Sequence, residues 1–145
     1  MTETDFAKAE RLTKRRARVT TVMGVFFIAT QTASLGPDIA LSRPQTMQLS
    51  TWMIWSVALL MLLATGGGWM RSKNVRALMN DEGTLENRSR AMVMGFWIAI
   101  GTAILVYAFS FLEPIGAKAA MRLVLTTTIG GALLRFGALE RRSLK

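Results

Sequence analysis

The chain contains no cysteine and no histidine. Without cysteine there can be no disulfide, no thiolate nucleophile and no thiolate metal site. Without histidine no imidazole can ligate haem, chlorophyll or zinc, and catalytic triads of the Ser-His-Asp or Cys-His type are excluded. Acidic residues are scarce, nine against 18 lysines and arginines, which leaves a net charge of +9. None of the nine falls inside a long apolar run. Proton- and sodium-coupled transporters usually need a carboxylate at that position, or a broken helix. These absences argue against an enzyme, and the expectation is of no cofactor, no metal and no catalytic residue.

What is present is apolar. Of 145 residues, 51% are hydrophobic and 19% are charged, where a soluble domain carries about a quarter charged residues. Four runs, 19–36, 50–70, 91–112 and 119–139, hold no charge except Arg122 and Arg135. A helix needs roughly 20 apolar residues to cross a bilayer, and backbone in lipid must satisfy its own hydrogen bonds. The expected fold is therefore an all-α integral membrane protein, with four transmembrane helices in an antiparallel bundle and both termini inside. Its parts are a basic cytoplasmic tail over 1–18 and a membrane domain over 19–145, with a cytoplasmic hairpin extension over 71–90. The first run follows a basic stretch, as a signal peptide does, but no small-x-small cleavage site follows it, so it is expected to be retained.

The basic residues alternate between the connections. The tail has Lys8, Arg11, Lys14, Arg15, Arg16 and Arg18; the middle loop has Arg71, Lys73, Arg76, Arg88 and Arg90; the C-terminal end has Arg135, Arg141, Arg142 and Lys145. Only Arg43, Lys118 and Arg122 belong to the other two connections. Fifteen against three matches the positive-inside rule and places tail, middle loop and C-terminus in the cytoplasm. Orientation accounts for the basic balance better than nucleic-acid binding does, so no direct nucleic-acid partner is expected.

Several local features have both a functional and a structural explanation. Gly66-Gly67-Gly68 lacks the lysine and hydroxyl residue of a phosphate-binding loop, and reads as a packing notch or joint. Trp52, Trp55 and Trp69 fit interfacial anchors. Asn80 to Gly83 suits a turn, Asp81 or Thr84 can cap the following helix, and Glu86 and Arg90 are spaced as an i,i+4 pair. Gly95, Ala99 and Ala103, with Thr127, Gly130 and Gly131, form small-residue patches expected to pack helices closely. Charges that a partner could recognise are Lys14, Arg15, Arg16 and Arg18 in the tail and Asp81, Glu82 and Glu86 at the hairpin tip. The tail could also lie on anionic headgroups.

The segment Asn80-Asp81-Glu82-Gly83-Thr84-Leu85-Glu86-Asn87-Arg88-Ser89-Arg90-Ala91-Met92-Val93-Met94-Gly95-Phe96-Trp97, with the ending Leu134-Arg135-Phe136-Gly137-Ala138-Leu139-Glu140-Arg141-Arg142, resembles a group of small, uncharacterised bacterial four-span proteins often encoded beside helix-turn-helix regulators. The resemblance covers the C-terminal half. It implies an inner-membrane protein that restrains or senses for a cytosolic transcriptional regulator, and it brings no catalytic residues. Three functions stay open: association with such a regulator, an accessory subunit of a larger membrane complex, and a small oligomeric pore or exporter. Membrane lipid is an expected partner of all three, alongside a protein partner or further copies of the chain.

Overall fold

A computed structural model describes residues 3–33, 45–66 and 82–143. They form four helices: α1 (Glu3–Ala33), α2 (Gln45–Thr65), α3 (Glu82–Phe109) and α4 (Ala117–Arg142). The connection over 34–44, Trp69, the Gly67-Gly68 pair, the extension over 71–79 and the turn residues Asn80 and Asp81 lie outside the described residues.

The expectation of four membrane-crossing helices is corrected by the lengths of the apolar segments. Among the described residues only α3, at 28 residues, and α4, at 26, are long and apolar enough to cross a membrane. The apolar part of α2 is confined to Ser50–Thr65. That helix stops where Gly66 takes the left-handed conformation, φ 62°, which suits the residue after a helix C-terminus and needs no Cβ to be accommodated. The charge-free run over 50–70 therefore outlasts the helix within it. In α1 the charges of the tail continue in the same helix up to Arg18. Its apolar part, Val19–Ala33, reaches only about 22 Å at ~1.5 Å per residue. The boundary placed at 18/19 from charge alone falls inside this one uninterrupted helix.

Helix α4 is the hub, in contact with α1, α3 and α2. It runs antiparallel to α1: Gly24 lies against Leu133 and Leu134, and Ile28 against Gly130. It is antiparallel to α3 as well, with Gly95 beside Ala132 and Thr128, and Ile98 beside Gly131. The core between them is built from Phe27, Leu59, Leu63, Ala91, Ile129, Ala132, Leu133 and Phe136. Thr20, Thr21, Thr127 and Thr128 return their hydroxyls to carbonyls one turn back, at 2.6 to 2.9 Å. Such self-satisfaction lets polar residues sit on apolar helices without an outside partner. The α3–α4 link is short: Ser110 to Glu113 continue in helical turns, Pro114 intervenes, and Gly116 caps α4 with extended backbone.

Candidate functional site

At the end of the molecule where α1 carries its charges, three helices meet on one polar cluster. Arg16 is 8% exposed and Glu140 1%. The guanidinium donates to Glu140 Oε2 twice, from Nε at 3.2 Å and from Nη2 at 2.5 Å. Nη2 also donates to Thr84 Oγ1 at 3.0 Å, and the guanidinium carbon stands 5.8 Å from the centre of the Phe136 ring. A charge this deeply buried needs a partner, and a guanidinium fork offers several directed donors. The contacts tie the middle of α1, the first turn of α3 and the last turn of α4 into one clasp. Removing either charge strands the other in a low-dielectric site. The second carboxylate oxygen of Glu140, Oε1, is buried with no hydrogen-bond partner. A lateral tie adds α2: Arg88 Nη1 donates to the carbonyl of Ala64 at 2.7 Å, satisfying a carbonyl that the end of α2 leaves open.

The charges expected to meet a partner divide into two groups. Arg16 is consumed inside the molecule by the clasp. Lys14, Arg15 and Arg18 are exposed, and so are Glu82 and Glu86. Glu86 pairs with Arg90 at 2.6 Å, one turn on, with both side chains open to the surroundings, the geometry that the i,i+4 spacing suggests. Asp81 lies outside the described residues. Thr84, considered as a helix cap, accepts a hydrogen bond from Arg16 at its hydroxyl.

The small-residue patches also divide. A methyl group built on Gly130 would collide with Ile28, and one on Gly131 with Ile98. At Gly95 it would come to 3.0 Å from Ala132 Cβ. Thr127 shares a 3.1 Å hydrogen bond with Thr102 of α3. Ala99 is half-buried and Ala103 exposed, so the α3 ladder leaves the contact after about one turn.

Two residues of the clasp region escaped the sequence reasoning. Glu140 stands beside the basic residues of the C-terminal end, yet it continues the buried stripe Leu133, Phe136, Gly137 at helical spacing, and that periodicity is the signal for it. Gly137 marks a close approach of α1 and α4: a methyl there would meet the Thr21 side chain and, at 3.2 Å, the backbone of both Ala17 and Thr21.

Among the described residues no group of three acidic residues is placed to hold a metal ion. The buried hydroxyls of Ser56 and Thr126 and the Trp52 indole nitrogen lack hydrogen-bond partners, like Glu140 Oε1. The described residues thus define an all-helical class, with two helices long and apolar enough to cross a membrane and a buried arginine–glutamate clasp at one end. No family model, curated protein or solved structure matches the chain.

Proposed function

We propose that the chain is a non-enzymatic inner-membrane protein that acts by protein association, docking a cytosolic regulator at the end where the clasp lies. Helices α3 and α4 cross the bilayer as a hairpin. Arg88, Arg90, Arg135, Arg141 and Arg142 gather at the open end of that hairpin, against Lys118 and Arg122 near its turn, so the positive-inside rule puts the open end in the cytoplasm. Because α1 enters the same clasp, the termini lie on that side too.

The observation that carries this proposal is the clasp itself. A buried, multiply bonded ion pair fixes the start of α3 against the end of α4. It thereby holds exposed Glu82 and Glu86 near exposed Arg141 and Arg142. Charges of both signs on a rigid platform favour electrostatic complementarity with one docking partner. The test is crosslinked capture of the tagged full chain from cells, beside a variant carrying Glu82→Lys and Glu86→Lys. A cytosolic protein captured by the wild type and lost from the variant, most strongly at low salt, supports the proposal. A captured set identical in both excludes the platform.

One feature favours a second possibility, an accessory subunit of a membrane complex. Phe96, Trp97, Tyr107 and Phe109 project from α3, each at least 57% exposed, and aromatic residues are common at protein contacts. Capture of membrane subunits unaffected by the two lysines would favour that possibility.

A further inference from the structure

The outward face of α1 changes character along its length. Arg11, Lys14, Arg15 and Arg18 are exposed and recur at three- and four-residue spacing. With Val19 they line an open recess of about 440 Å³ whose described lining is basic and apolar. At about 3.6 residues per turn the same stripe continues through Val22, Val25, Phe26 and Ala29. All four are exposed, the first three by more than half. The opposite face, with Arg16, Ala17, Thr20, Gly24 and Phe27, is buried. One side of a single helix is thus a cationic platform followed directly by a bare apolar track.

We infer that this face binds one anionic phospholipid, its phosphate among Arg11, Lys14, Arg15 and Arg18 and an acyl chain along Val22, Val25, Phe26 and Ala29. The dimensions fit. From Arg18 to Ala29 the helix rises about 16 Å at ~1.5 Å per residue, half of the roughly 30 Å hydrocarbon core and so the depth of one leaflet. The charge fits as well, because cytoplasmic leaflets are anionic and basic residues at that level attract their headgroups. A tail that only sets orientation needs no single face. A soluble polyanion or an acidic protein would use the charges and leave the apolar track without a role. The site extends the membrane placement proposed above, and depends on it, without involving the Glu82–Glu86 platform.

The test uses the full chain, stripped of lipid in neutral detergent and titrated with phosphatidylglycerol or phosphatidylcholine while bound lipid is counted by native mass spectrometry. The wild type should retain phosphatidylglycerol in preference. A variant with Arg11→Gln, Arg15→Gln and Arg18→Gln should lose that preference by on the order of tenfold or more at low salt. Its melting should not change, since these side chains avoid the α1–α4 contact. Arg141→Gln with Arg142→Gln removes exposed positive charge elsewhere and should leave the preference intact. An unchanged preference in the triple variant overturns the site, and so does an equal loss in the control pair. Displacement of the lipid by inorganic phosphate at matched ionic strength would reveal an anion site without a lipid track, and would overturn it too. Failure of the membrane placement reads out separately, as release of the chain from membranes by alkaline carbonate.

Discussion

Helices α3 and α4 are both long and apolar enough to cross a membrane, yet the molecule uses them in opposite ways. In the most apolar stretch of α3, 6% of residues are buried; in that of α4, 50% are. The helix with more threonines and charges is the one at the centre. Where both solvent and neighbour are apolar, burial of hydrophobic side chains does not choose a partner. Close approach and satisfied polar groups do. Helix α4 offers Gly130, Gly131 and Gly137 for approach, and Thr127 and Glu140 for bonding; α3 beyond Thr102 exposes the large side chains of Ile104, Leu105, Tyr107 and Phe109.

Five single substitutions test this contrast. The largest effect belongs to the clasp. Glu140→Ala leaves Arg16 buried without its carboxylate and should cost about 3–5 kcal/mol, seen as a drop in denaturation midpoint in detergent. Joint replacement by Arg16→Met and Glu140→Leu should recover most of it, because an apolar pair removes both desolvation costs. On α3, Leu105→Lys should cost about 2.5–3.5 kcal/mol of membrane insertion, measured as the integrated fraction, if that exposed side faces lipid; normal insertion would show that it does not. Gly137→Ala should cost about 1–3 kcal/mol by forcing α1 away from α4, and melting of the purified variant checks it. Gly131→Ala should cost less, since it meets only the tip of Ile98. The smallest effect is Thr127→Val, about 0.6 kcal/mol for one hydrogen bond within a membrane, resolvable only by a double-mutant cycle with Thr102→Val.

The helical class and the positions of α3 and α4 were legible from charge-free runs flanked by arginines, and Gly130 and Gly131 from their small-residue spacing. The four-span expectation failed because it counted charge-free residues rather than helical ones. Gly66 ends α2 before its apolar run does, and Arg18 sits within α1 rather than ahead of it. The clasp was hidden for a different reason. Arg16 stands among four exposed basic residues of its own type, and Glu140 beside two exposed arginines, so composition assigns both to the surface. Only the angular position of each on its helix separates it from its neighbours, and the partner of each is more than a hundred residues away.

In the arrangement we propose, α3 and α4 cross the membrane as a hairpin whose clasped end faces the cytoplasm. Because the chain has no native cysteine, single substitutions report on it directly, and Gly116, Glu82 and Ser143 are all exposed. Treated with an impermeant maleimide in intact cells, Gly116→Cys should label, while Glu82→Cys and Ser143→Cys should label only after permeabilisation. Equal labelling of all three positions in intact cells, or protection of Gly116→Cys alone, would contradict the hairpin and its orientation.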